Sequence, residues 1–165
     1  MAATYEPIAT TTLGSAASTI TFSSIPATYT DLRLVLVGTS SSTSTQWIRL
    51  NSDTGSNYSL TAIRGNGSSA ISWRDTSTSI SIASEYTGAS STIPLLVTID
   101  FISYAGSTFK TMLIESSEDK NGSGDVIRRV GLWNSTSAIN TILISRNNGN
   151  FNTGTTATLY GILKA

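Results

Sequence analysis

From Leu32 to Gly38 the chain reads LRLVLVG, and its alternation sets Leu32, Leu34 and Leu36 on one face and Arg33, Val35 and Val37 on the other. This pattern predicts a core strand. Valines on the second face imply that it too is partly covered by something other than water. The two-residue period recurs in Ser18 to Phe22, with Ile20 and Phe22 together, and in Gln46 to Leu50, where Ile48 and Leu50 oppose Trp47 and Arg49. Tyr58 to Arg64 reads as a further strand. Ala70 to Arg74 and Thr78 to Ala83 are weaker ones. Ile93 to Tyr104, IPLLVTIDFISY, is the longest apolar-rich run; Val97, Ile99 and Phe101 share a face opposite Thr98, Asp100 and Ile102. Phe109 to Glu115 pairs with it as a hairpin across Ala105 to Ser107. Val126 to Trp133, Ile139 to Ser145 and Ala157 to Leu163 close the series.

The connections carry turn chemistry. GNGSS, Gly65 to Ser69, offers glycines for positive φ, and SSEDKNGSGD, Ser116 to Asp125, is polar enough to predict a protruding loop. No long window holds an apolar stripe at helical spacing, so almost no helix is expected. At the start, Pro7 and Pro26 interrupt hydrogen-bonding ladders. Residues 1–16 are therefore read as an extended arm, able to cover its own sheet or reach a neighbour, and 17–165 as a single domain. Roughly eight to ten short strands in one domain predict an all-β, antiparallel two-sheet sandwich, a jelly roll before an immunoglobulin-type domain.

Composition sharpens this picture. Of 165 residues, 28 are Ser and 26 are Thr, but the regular apolar strings between the polar runs argue for a folded domain with a hydroxyl-rich surface. Ten basic and ten acidic residues cancel, scattered except for Arg128-Arg129, so no cationic footprint for nucleic acid or an anionic membrane exists. There is no apolar run of membrane-spanning length, and the first 20 residues lack a signal-peptide pattern, which predicts synthesis in a cytoplasm. With neither cysteine nor histidine, disulfides, thiol nucleophiles, zinc sites built on nitrogen or sulfur, and Ser-His-Asp relays are excluded.

The remaining chemistry rests on carboxylates. NSDTGSNYS, Asn51 to Ser59, contains the Asp53-Thr54-Gly55 pattern of an aspartic-protease loop, yet its only echo is Asn152-Thr153-Gly154, which has no ionisable partner. Asp53 and Gly55 are read instead as a scaffold turn, with Asp53 accepting backbone hydrogen bonds and Gly55 taking a left-handed conformation. On this reading Asp53→Asn retains folding, whereas Gly55→Val damages the turn. Calcium ligands are present at Asp53, Ser56 and Asn57 and again at Asp119, Asn121 and Asp125, but neither segment has the spacing of a calcium loop. Asp100 and Glu115 lie on the same hairpin, as a glycosidase pair would. An interface or surface ion pair explains them equally, and a buried Asp100 calls for an arginine partner. Catalytic residues, metals and cofactors are thus not expected. Trp73, between Ser72 and Arg74, is the candidate exposed ring, whereas Trp133 is expected to pack at a strand end.

Four segments together, YEPIATTTLGSAASTITFSSIPATYTDLRLVLVGT, NSDTGSNYSL, VGLWNSTSAINTILI and GNFNTGTTATLYGI, make the chain resemble a group of virion surface proteins of tailed bacteriophages, notably phages of cyanobacteria and marine bacteria. The resemblance implies a small β-sandwich used as a head decoration protein or as the distal part of a tail fibre, with no catalytic residues. The matching Tyr5, Asp31, Asp53, Gly55, Tyr58, Gly131, Trp133 and Tyr160 look like scaffold. A chain beginning at Met1 favours the decoration subunit. The expected partners are then the major capsid protein and copies of itself, a homotrimer by capsid symmetry, on the outer capsid surface. Tyr5, Pro7, Ile8 and Leu13 of the arm are the expected capsid or neighbour contacts, and deleting residues 2–12 is expected to spare the fold. The alternative is a tail-fibre module that binds host surface glycans.

Overall fold

The computed structural model describes residues 4–83 and 92–163. Alternating burial places twelve strands in two antiparallel sheets: β1 Tyr5–Thr12, β2 Thr19–Phe22, β3 Asp31–Gly38, β4 Gln46–Leu50, β5 Tyr58–Gly65, β6 Ala70–Ser77, β7 Ile80–Ala83, β8 Leu95–Ile102, β9 Lys110–Asp119, β10 Gly124–Trp133, β11 Ile142–Arg146 and β12 Thr156–Ile162. No helix occurs among the described residues. The large sheet has eight strands in the order β1-β12-β3-β8-β9-β10-β5-β6, and the small one has four, β2-β11-β4-β7. This is an all-β two-sheet sandwich with jelly-roll-like connectivity, because strands adjacent in sequence repeatedly change sheets.

The core lies where the leucines of β3 meet the small sheet. Leu32, Leu34, Val97, Ile99, Phe101 and Met112 from the large sheet are fully buried, as are Ile48, Leu50, Ile80, Ile142 and Ile144 from the small one. Each such side chain contributes about 1.5–3 kcal/mol by leaving water, so the period-two pattern is what fixes register. A one-residue slip would turn the whole row to solvent.

Two local expectations change. The segment read as an arm forms β1, paired with β12 from Tyr5↔Ile162 to Thr12↔Thr156, with a register break between Pro7 and Ala9. Ile8 and Leu13 pack against the core of their own chain, while Tyr5 and Pro7 stay exposed. Deleting residues 2–12 would therefore strip a sheet edge and uncover core, instead of sparing the fold. Residues 1–3 lie outside the described region. The polar stretch from Ser116 to Asp125 is also mostly strand: β9 and β10 pair without interruption out to Gly124↔Asp119. Its inward side chains Ser116 and Glu118 are buried, and only the tip turns, with Gly122 at φ 106°. In GNGSS, Gly67 takes the positive φ expected there, at 83°.

Candidate functional site

The loop between β4 and β5 is a structural hub. Asn51 and Ser52, not Gly55, adopt the left-handed backbone, at φ 51° and 58°. Gly55 is needed for another reason: a Cβ there would stand 2.7 Å from Asn57 Nδ2 and 3.1 Å from Asp53 Oδ1. That close approach lets the Gly55 amide donate to Asp53 Oδ1 at 2.8 Å. Asp53 Oδ2 accepts from Asn57 Nδ2 at 2.9 Å and from Trp133 Nε1 at 2.7 Å. The Trp133 hydrogen bond first, then those of Asn57 and Gly55, hold the Asp53 carboxyl below its usual range. Trp133 is buried at the end of β10, as expected, and its ring stacks on Tyr58 with centroids 6.4 Å apart. Scaffold donors take two positions on Oδ2 and one on Oδ1, so the carboxylate is largely committed and is not the freely shared acceptor that a protease aspartate needs. Asp53 therefore fastens the turn to β10.

The acidic β9–β10 tip is likewise committed. Asp125 Oδ1 receives Arg64 Nε at 2.5 Å, Asp119 Oδ1 accepts the Asn121 amide at 2.8 Å, and Lys120 Nζ lies 3.2 Å from Glu118 Oε2. Among the described residues no group of three or more Asp or Glu converges where a metal ion could be held. With no cysteine or histidine in the chain, the sandwich also lacks a thiol or imidazole centre.

The outer face of the large sheet is different. Residues directly opposite one another share a face, and one row across this face reads Tyr160, Arg33, Asp100, Leu113, Val130, Thr61 and Arg74. The next row reads Thr158, Val35, Thr98, Glu115, Arg128, Ile63 and Ser72. A third brings Val37, Leu96, Ser117 and Val126 together. None of the small sheet lies on this side. Leu113, Val130 and Val126 are about half exposed, and Ile63 is 60% exposed.

Two ion pairs cross the apolar rows. Arg33 holds Asp100 with both prongs, Nε to Oδ1 at 2.6 Å and Nη2 to Oδ2 at 2.7 Å, the arginine partner that Asp100 called for. Arg128 Nη2 reaches Glu115 Oε2 at 2.8 Å. The Arg33 guanidinium also lies 5.9 Å from the Tyr5 ring centroid, which ties the edge strand into this face. Between the pairs is a depression of about 380 Å³ whose lining includes Thr61, Ile63, Thr98, Leu113 and Val130. Asp100 and Glu115 do reach one face, as a glycosidase pair would, but each is neutralised by its own arginine. The arrangement offers apolar contact and fixed polar groups, without a free acid and base.

The expected contact and ring residues divide accordingly. Tyr5 and Pro7 belong to the exposed rim of the large sheet, whereas Ile8 and Leu13 are spent on the core. Trp73 is partly buried rather than exposed: it sits opposite Ala62 on the inward side of β6, with the Arg129 guanidinium 6.0 Å from its ring. Leu96, Leu113, Val126 and Val130 did not stand out in the sequence, although their alternation signal was present. Strands such as LLVTIDFI and VIRRVGLW are apolar on both faces, not just one.

No protein-family model matches the chain. No curated protein matches it either. Among solved structures it is similar to a crystal structure of the Caenorhabditis elegans galectin LEC-6, at 14% identity and a TM-score of 0.40, over 91% of this chain and 94% of that one.

Proposed function

We propose that this chain is a non-enzymatic virion structural protein, a capsid decoration protein that docks on assembled capsid subunits through the outer face of its large sheet. The observation that carries the reading is the set of half-exposed apolar side chains, Leu113, Val130, Val126 and Ile63, on three adjacent strands with no layer over them among the described residues. Contiguous apolar surface of this kind marks an interaction site. The Arg33–Asp100 and Arg128–Glu115 pairs on the same face supply orientation at modest energetic gain. The sequence resemblance to phage virion surface proteins supports the choice of partner, the major capsid protein. A subunit that binds the assembled shell better than its free components stabilises that shell by linkage.

The near-zero formal charge fits a protein that ends in an assembly. Synthesis in the host cytoplasm suits a chain without cysteine, and the outer capsid surface is its proposed site of work. Contact through the sheet face replaces the arm as the main docking element, with Tyr5 and Pro7 at its rim. Immunogold labelling of intact particles tests the location: label over the head supports decoration, and label confined to the tail overturns it.

One observation favours a second reading, a tail-fibre module that binds host surface glycans. The depression between Arg33, Asp100, Glu115 and Arg128 joins hydrogen-bonding groups to an apolar floor, the combination a polyhydroxylated ligand uses. That reading requires saturable binding of the isolated protein to host cells and none to capsids.

A further inference from the structure

A two-sheet sandwich has four sheet edges, and this one treats them unequally. β2 and β7, at the edges of the small sheet, have four residues each. β1 is blunted by Pro7, which has no amide hydrogen, and by the register break beside it. Short strands, proline and bulges are the devices that protect an edge from pairing with another chain. β6 has none of these three, and its charges, Arg74 and Asp75, are confined to its second half, away from Ile71. It runs eight residues, Ala70–Ser77, in unbroken register with β5, contains no proline, and makes no backbone hydrogen bond to any other described strand.

We propose that β6 pairs antiparallel with β6 of a second copy about a twofold axis normal to the sheet, joining the two large sheets edge to edge. Such an axis keeps both outer faces on one side and brings together residues of equal parity. Centred on Arg74 or Asp75, the pairing would set like charges against each other. Centred on Trp73, it would oppose Ile71 to an aspartate. Centred on Ser72, it places Ile71 against Trp73 twice, Arg74 against Ala70, and no like charges opposite.

The Ser72-centred register also covers exposed apolar surface. Ile71 is 49% exposed on the inward side of β6, where β7 reaches beneath β9, β10 and β5. In the dimer Ile71 and Trp73 of both copies form one apolar cluster beyond the end of the small sheet. Zero formal net charge leaves no long-range repulsion to oppose the approach. Because the twofold consumes β6 and β1 is blunted, association stops at two copies. This goes beyond shell docking and stands independently of it.

The absence of cysteine makes the test clean. Residues directly opposite in an antiparallel pair have Cα atoms about 4.5–5.5 Å apart, inside the usual disulfide range of about 4.4–6.8 Å. Ser72→Cys is expected to oxidise to a linked dimer, while Ser137→Cys, also exposed, stays monomeric on a non-reducing gel. Sedimentation velocity should give the wild type twice the 17.3 kDa chain mass. Ile71→Lys should lose the dimer with the unfolding midpoint of the monomer unchanged. A wild type that remains monomeric at every concentration overturns the proposal. So does a homotrimer, or a dimer that survives Ile71→Lys while Ser72→Cys links no faster than Ser137→Cys.

Discussion

Replacing Asp53 with Asn tests the hub more sharply than any core truncation, because the shape is kept and only the acceptor pattern changes. The carboxylate takes three donors: one at Oδ1, from Gly55, and two at Oδ2, from Asn57 and Trp133. An amide has one oxygen. Turned toward Asn57 and Trp133, its NH2 faces the Gly55 amide; turned the other way, it faces the indole N–H of Trp133, which is 2% exposed. Either way at least one donor is stranded. A buried donor left unsatisfied costs about 1–3 kcal/mol, and Asp53 is only partly buried, so the low half of that range is expected in one orientation. At roughly 2–4 °C per kcal/mol for a chain of this size, the melting midpoint should fall by several degrees while the fold persists.

The pH dependence gives a second readout. The folded-state pKa of Asp53 is lowered, so its contribution is present above the unfolded value of about 3.9 and is lost as pH falls through the folded value. The gap between wild type and Asp53→Asn should be constant near neutral pH and narrow on acidification below about pH 4. Urea unfolding followed by tryptophan fluorescence measures both. A difference under about 0.5 kcal/mol at neutral pH, or a gap that does not narrow in acid, refutes the assignment of Asp53 as a charged fastener.

Other substitutions separate scaffold from surface. Gly55→Val should destabilise the same loop by displacing Asn57 and Asp53, seen as a lower midpoint together with altered tryptophan fluorescence. Tyr58→Phe removes a hydroxyl that accepts from Leu50 N at 3.1 Å and donates toward Leu50 and Asp53 carbonyls; a loss of about 1–3 kcal/mol in urea unfolding is expected. Lys110, fully buried, donates Nζ to the carbonyls of Gly106, Thr108 and Thr136, so Lys110→Met should cost about 1–3 kcal/mol by the same assay, although burial of its charge lowers its pKa. Arg129 is only half satisfied: Nη1 donates to the Ile82 carbonyl at 3.1 Å and to Ser116 Oγ at 2.9 Å, but Nε and Nη2 have no hydrogen-bond partner and burial pushes its pKa down to about 10, so Arg129→Met should cost less than Lys110→Met in thermal unfolding.

The sandwich was legible because its core uses strict alternation. Leu32, Leu34 and Leu36, then Val97, Ile99 and Phe101, point inward just as their spacing requires. The same rule predicts a covered face for Val35 and Val37, but the structure puts that face on the outside of the large sheet, with no second layer over it among the described residues. What the sequence concealed depends on contacts far apart along the chain. Asp53 looks like a local turn residue until Trp133, which is distant in sequence, is brought to its carboxylate. Residues 1–16 look like an arm because Pro7 breaks a ladder, yet one broken bond does not outweigh the pairing of β1 with β12. Ser116 and Glu118 are polar and signal a loop, although the continuing ladder with β10 turns them inward. Trp73 follows the same logic: flanking polar residues suggest exposure, but its parity matches Ala62 and faces the core side.

Docking through the outer face of the large sheet is measured most directly by co-sedimentation with purified expanded capsid shells. Leu113 and Val130 stand opposite each other and are about half exposed, so Leu113→Glu combined with Val130→Lys, an opposite-charge pair across the strands, should leave the melting midpoint close to wild type. Wild type is predicted to bind the shells saturably and the double variant to remain in the supernatant. Equal binding by both proteins, or no binding by the wild type, would contradict the account.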